Sequence, residues 1–291
     1  MAVLSREAKK RLERPLLTFL LSLAMAVVVG VVVYVVTSTL PYLATSPTTD
    51  PNFGNQNHCL LTALPADRTG FAVFGTQAVA FSGTRLARCV DQSPAHVYDI
   101  TGVIRASFDW KGALWFSRRA ETNTPPQLWR LADAKPEQIG EVTPIALVGT
   151  AFGVVTIDSQ GRLVSLDDQR TVLGVAQLPA APPEEVQLTV SADGERVAIV
   201  TSGGLFVYEA QRLSKILGEA PCEVEFLWWR KEGHRALVSC GPDADWALEL
   251  DVNSGERETA PKFKRTWSQL VPTRGLYVQE CEHLPCTATS P

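Results

Sequence analysis

The chain has 291 residues, 45% of them hydrophobic and 20% charged, and a formal net charge of −4. That balance is ordinary for a globular protein and excludes a disordered chain. The charge is uneven: residues 1–14 carry +3 and the remainder −7. A mildly acidic main region argues against nucleic acid as a partner, because holding phosphates needs clustered Lys and Arg.

Residues 1–14 hold Arg6, Lys9, Lys10, Arg11 and Arg14 against Glu7 and Glu13, and read as a cytoplasmic stub. From Pro15 to Leu43 the only ionisable side chains are Tyr34 and Tyr42. This run exceeds the about 20 apolar residues that a bilayer-spanning helix needs, so 15–37 is predicted to be a transmembrane signal-anchor in contact with lipid. All flanking basic residues precede it, and the positive-inside rule then exports everything that follows to the periplasm or extracellular space. A cleaved signal peptide fits less well. Its apolar region would be about 7–15 residues long and end in small residues, whereas Tyr42-Leu43-Ala44 is bulky. No Cys follows the apolar run closely, so a lipoprotein is not indicated. Ser22, Ala26 and Gly30 have the spacing that lets two membrane helices approach, which makes a homodimer the alternative to simple anchoring.

Residues 38–58 read as a linker; within it, 44–57 is polar, rich in Thr, Pro and Asn, and without apolar periodicity. The rest, 59–291, is the exported domain. All six cysteines (Cys59, Cys89, Cys222, Cys240, Cys281, Cys286) lie in it, as expected for disulfides in an oxidising space. Metal binding is the rival reading, but there is no CxxC and no His at ligand spacing from a Cys pair. Cys281 and Cys286 read as two strand ends facing across a four-residue loop. Cys222 and Cys240 fall on consecutive strands and need a bulge to meet, which leaves Cys59 with Cys89.

No amphipathic helix is evident in this domain. Short apolar runs recur between Gly, Asp, Asn and Pro, the pattern of strands and turns. Runs beginning at Phe71, Ala113, Val154, Val197, Ala236 and Leu276 mark one strand in successive units, at spacings of 42, 41, 43, 39 and 40 residues. A period near 40 with about four short strands is that of a propeller blade. In the clearest unit Gln187–Ser191, Arg196–Thr201, Leu205–Glu209 and Arg212–Leu217 are predicted strands, with a turn at Ala192-Asp-Gly-Glu195. The segment from Ser191 to Ala210, ADGERVAIVTSGGLFVYE at its centre, resembles a blade of the WD40-like propellers, particularly the TolB type of bacterial envelopes. Ser191, Asp193, Gly194 and Gly204 carry the likeness. It implies an all-β fold of the β-propeller type; the six marker runs predict six blades, and the apolar run places the membrane helix before them. The stretch Cys59–Leu64 is then expected to add a strand to the final blade or to start the first. An open β-sandwich is the competing architecture.

Catalytic and cofactor motifs are missing. His58, His96, His234 and His283 are scattered, and no GxSxG, P-loop or GxGxxG pattern follows a strand. Asp243 and Asp245 share a hairpin loop but lack further cation ligands. The expected binding site comes from Trp110, Trp229 and Trp267 with Arg105 and Arg230. First strands line a propeller channel, and these residues lie on or just after first strands. Packing between blades is the alternative role of each Trp. The reading that follows is a non-catalytic interaction and scaffold module of the cell envelope with a protein partner. Alternatives are a glycan hydrolase or lyase using acids such as Asp109, Asp158 and Asp193, or a ligand sensor coupled to a membrane partner.

Overall fold

The structure is a computed structural model, which describes residues 59–64, 68–90, 95–131, 135–179, 186–201, 204–217, 224–229, 234–240, 246–261, 267–271, 276–281 and 284–289. Beyond Ser214, side chains are described at 229, 234–238 and 248–259. The chain divides into two units, Met1–Ser46 and Pro47–Pro291, and every described residue lies in the second. The expected stub, the membrane helix with Ser22, Ala26 and Gly30, and the linker lie outside them. Among the described residues no helix is long and apolar enough to cross a membrane.

The described strands form six antiparallel sheets in sequence order. Sheet 1 holds β1 (Arg68–Phe74), β2 (Gln77–Ser82), β3 (Leu86–Val90) and β4 (His96–Tyr98). Sheet 2 holds β5 (Val103–Phe108), β6 (Leu114–Arg118), β7 (Gln127–Leu131) and β8 (Pro136–Gln138). Sheet 3 holds β9 (Pro144–Gly149), β10 (Gly153–Asp158), β11 (Arg162–Asp167) and β12 (Val172–Gln177). Sheet 4 holds β13 (Gln187–Val190), β14 (Val197–Thr201), β15 (Gly204–Glu209) and β16 (Arg212–Leu217). Sheet 5 holds β17 (Val224–Trp229), β18 (Arg235–Cys240), β19 (Trp246–Asp251) and β20 (Arg257–Pro261). Sheet 6 has three strands, β21 (Trp267–Val271), β22 (Leu276–Cys281) and β23 (Leu284–Thr289).

Central strands are apolar on both faces, and each face has its own neighbour. In sheet 4, Val197 and Ile199 pack with Phe206 and Tyr208 against Val155, Ile157 and Leu163 of sheet 3. The alternate residues Ala198, Val200, Leu205 and Val207 pack against Trp229, Ala236, Val238 and Leu250 of sheet 5. Period-two alternation therefore separates two apolar faces here. Each fully buried Val, Leu, Ile or Phe contributes roughly 1.5–3 kcal/mol, so neither face is dispensable. Sheets 1 and 2 meet through Ala72, Phe81, Phe108 and Phe116, and sheets 2 and 3 through Trp115, Leu128, Val154 and Leu166.

The first strands stand side by side: β1 lies against β5, β5 against β9, β9 against β13 and β13 against β17, while β1 also meets β21 and β23 of the last sheet. The bonds between neighbouring sheets climb in one direction, from Arg105 with Ile145, through Ser107 with Gly149, to Trp110 with Thr150, so β5 and β9 run parallel. The approach is close at Gly149, where a Cβ would fall 1.9 Å from the Phe108 carbonyl oxygen.

Two sequence expectations are corrected. The run beginning at Phe71 lies on β1, the first strand of its sheet, whereas the other five runs lie on or immediately before second strands. Phe71, Ala72 and Val73 are all buried, so β1 carries the continuous apolar run that second strands carry elsewhere. Residues 59–63 add no strand: they form one helical turn. Leu60 and Leu64, one turn apart, pack with Phe71, Val73, Ala78 and Ala80 on the face of sheet 1 turned away from sheet 2. A disulfide between Cys59 and Cys89 of β3 ties the turn down.

The other cysteine pairings fall on side chains outside the described residues. The backbone of Cys240 stands opposite Val224, beside a bulge in β17. That of Cys281 stands opposite Leu284 rather than Cys286.

Reducing the Cys59–Cys89 bond, or replacing Cys89 by Ser, removes a cross-link spanning 30 residues. A closed loop of that length is worth about 3–4 kcal/mol. Urea unfolding of C89S under oxidising conditions should show a loss of about that size, and Leu60→Ala a loss of about 2–5 kcal/mol from the cavity it opens. Unchanged midpoints in both would show that the turn contributes nothing to the domain.

Candidate binding channel

The side-by-side first strands leave between them a cavity of about 270 Å³, lined by residues 69–73 of β1, 104–108 of β5 with Trp110, 147–149 of β9 and 188–190 of β13. Arg105 is the one charged residue among the described lining residues, and no carboxylate joins them. The other polar side chains are Thr69, Ser107 and Thr189.

Several of these polar groups are committed to joining one first strand to the next. The Ser107 hydroxyl accepts the Gly149 N–H at 2.9 Å. Arg105 donates its Nε–H to the Ile145 carbonyl at 3.2 Å. Trp229 donates its Nε1–H to the Thr189 carbonyl at 3.3 Å. Trp110 N–H bonds the Thr150 carbonyl at 3.1 Å, and Ala151 N–H bonds that of Gly194 at 2.9 Å. The inner edge of a sheet exposes unpaired backbone groups, and these bonds satisfy part of it. Gly194 adopts φ +79°, and a Cβ there would sit 2.8 Å from both the Ala151 nitrogen and the Trp110 ring.

The first strands begin irregularly in a repeated way. In five of the six first strands the second residue is bulged out of register: Thr69, Ile104, Ile145, Glu225 and Ser268. In β13 the pairing is regular. A bulge leaves its extra residue unpaired and re-aims the side chains beside it. Sequence reading missed these positions. Their one trace is an interrupted alternation, as in the adjacent apolar pair Val103-Ile104.

Of the expected site residues, Arg105 and Trp110 line the cavity together, and Trp229 does not. Trp229 is 1% exposed and packs between sheets 4 and 5, so it is a core residue and not an anchor for a partner. Trp110 is half-buried against the sheet 3–sheet 4 core, in the turn that follows β5. Arg105 is near the start of that strand; at about 3.3 Å per residue the two stand on the order of 16 Å apart along it. The backbone of Trp267 opens β21, whereas Trp229 ends β17. The Trp267 side chain and Arg230 lie outside the described residues, as do Asp243 and Asp245.

The acids proposed for catalysis serve turns. Asp109, 1% exposed, accepts the N–H groups of Lys111 and Ala113 and the Nε1–H of Trp115, all within 3.0 Å. Asp158 accepts Gln160 and Arg162 N–H, and Asp193 accepts Glu195 N–H and the Ser191 hydroxyl. Among the described residues no group of three or more His, Cys, Asp or Glu could hold a metal ion. The displaced titrations lie off the channel lining. The Lys111 ammonium, bonded to Asp168 across sheets 2 and 3, holds that carboxyl below its usual range. Backbone N–H bonds, that of Ser254 first, do the same for Asp251. Burial raises Tyr208, whose hydroxyl meets that of Ser165 at 2.6 Å.

No protein-family model matches the chain, and no curated protein matches its sequence. Solved structures do match. The β-propeller domain of Cps50 (Swd1) from Myceliophteria thermophila aligns at a TM-score of 0.55 with 12% identity, over 77% of this chain and 82% of that one. A structure of the Mitotic Checkpoint Complex aligns at 0.58 with 10% identity, over 82% of this chain and 79% of that one. TolB from Acinetobacter baumannii aligns at 0.46 with 14% identity, over 67% of this chain and 54% of that one. At these identities the likeness concerns fold alone, and the first two structures carry it: the chain has an all-β fold with β-propellers, including the WD40 kind, as its neighbours.

The Asp109 bonds make a direct test of its structural role. In Asp109→Asn either the amide NH₂ faces the Trp115 N–H, or, flipped, it faces two backbone donors. At least one donor of the turn loses its acceptor in each case, at a cost of about 1–3 kcal/mol. Urea unfolding should show a lower midpoint at unchanged slope; an unaltered midpoint would show that the carboxylate is not holding the turn.

Proposed function

We propose that this chain is a membrane-tethered β-propeller of six blades whose exported domain is a non-catalytic protein-interaction module of the cell envelope. Six successive sheets, the adjacency of β1 to the last of them, and the likeness to propeller structures support the architecture. The apolar run at 15–37, its basic N-terminal flank and the placement of the cysteines support tethering and export.

The observation that carries the interaction reading is the chemistry of the channel. Its described wall has apolar residues, hydroxyls and one guanidinium, and no acid–base pair. General acid–base chemistry requires at least one side chain free to exchange a proton at the reacting atoms. Asp109, Asp158 and Asp193 are instead engaged with N–H and O–H donors of their own turns. One fold neighbour comes from the Mitotic Checkpoint Complex, a protein assembly, which agrees with such a role.

The test combines topology with contact. Reporters fused after Asp50 and at the C-terminus should be active only outside the cytoplasm. A photoreactive residue at Ile104, 40% exposed at the channel, should give a discrete protein adduct in intact cells. The same residue at Val175, 53% exposed on the outer strand β12, should not. A reporter active in the cytoplasm refutes the tethered topology, and the lack of any adduct from Ile104 refutes the module.

A further inference from the structure

We propose that the docking end of the channel is the mouth where the first strands begin, and that it takes an extended acidic protein segment whose carboxylate is held by Arg105. This rests on reading the domain as an interaction module and names the chemistry of its partner.

The mouth is distinguished from the opposite end by the bulges. Thr69, Ile104 and Ile145 each drop out of the ladder at the same position of β1, β5 and β9, and the backbones of Glu225 and Ser268 repeat the position in β17 and β21. A bulge takes its residue's main-chain groups out of sheet pairing; the Ile145 carbonyl is used by Arg105, and an extended segment is the partner shape that can use the others. At the other end the turns approach closely: Trp110 and Ala151 bond to the neighbouring turns, and Gly194 has no space for a side chain.

Arg105 follows the bulge at Ile104. Its Nε–H is anchored on the Ile145 carbonyl, which orients the guanidinium while leaving the outer nitrogens to a ligand. It makes no ion pair among the described residues, and no described lining residue carries a compensating charge. A planar fork of donors held in this way matches a carboxylate, which it binds through two parallel bonds. Ile104, exposed beside it, supplies an apolar contact for a neighbouring residue of the same segment. Because the chain beyond residue 14 carries −7, its general field repels acidic segments. Selection of one would therefore report a local site and not a diffuse basic surface.

The experiment pans a random dodecapeptide library over the purified full-length chain in detergent micelles. The expected result is enrichment of sequences with Asp or Glu beside an apolar residue. An enriched peptide should bind Arg105→Ala at least tenfold more weakly by fluorescence anisotropy, and Arg105→Lys at an intermediate level because Lys lacks the fork. Arg162→Ala, which removes an exposed arginine of β11 away from the channel, should bind normally. Far-UV spectra of all variants should match the parent. Enriched peptides with no acidic bias, no enrichment at all, or equal losses in R105A and R162A would overturn the proposal. Any of these beside a partner adduct from Ile104 defeats only the acidic-segment inference; the absence of that adduct defeats the module reading itself.

Discussion

A four-stranded sheet with apolar side chains on both faces cannot stand in water without a cover on each side, and this demand organises the domain. Sheet 4 shows it most fully, with alternate residues of β14 committed to sheet 3 and to sheet 5. The same relation links sheets 1 to 2 and 2 to 3. Sheet 1 shows how the chain meets the demand on its other face: the helical turn at 59–63, fixed by a disulfide, covers residues of β1 and β2 that would otherwise lie bare. A row of such sheets has an unpaired face at each end unless it curls back, and the contacts of β1 with β21 and β23 bring first and last together.

Face-to-face packing of this kind brings the first strands edge to edge, and their backbone groups then need partners. Ser107, Arg105 and Trp229 supply three by reaching to the backbone of an adjacent first strand. Gly149 and Gly194 permit the closeness, since a side chain at either would strike the neighbouring backbone. What remains between β1, β5, β9 and β13 is a cavity whose described lining has hydroxyls, apolar residues and one guanidinium. The chemistry of the cavity is thus a by-product of how the sheets are joined, and Arg105 belongs both to the joint and to the cavity lining.

Much of the architecture was legible because the signals were local. The turn at Ser191–Arg196 and the alternation of β14 and β15 placed the strands of sheet 4 within a residue or so. Legibility failed where a neighbour decided the matter. Phe71–Val73 resembles a second strand because distant residues cover it, and Cys59–Leu64 coils into a helical turn because Leu60 and Leu64 bury together. The bulges at Thr69, Ile104 and Ile145 shift register by one residue, which composition and a period near 40 do not record. Of the expected aromatic residues, Trp229 is buried between sheets for a related reason, while Trp110 is half-buried and lines the cavity. Trp229 is a large apolar group at a sheet junction, and burial there outweighs exposure. The position of Arg105 at the cavity was legible because it is a charged residue on a first strand, which no core could hold.

The account treats the sheets as one cooperative body joined along their first strands. Native-state hydrogen exchange of the full-length chain tests this most directly. The amides of Trp110, Gly149 and Ala151, which bond between sheets, should exchange with the same opening free energy as Val155 and Ala198 at the centres of sheets 3 and 4. Opening of those inter-sheet amides at much lower free energy, with each sheet then exchanging at its own value, would contradict the account and leave a string of separate sheets.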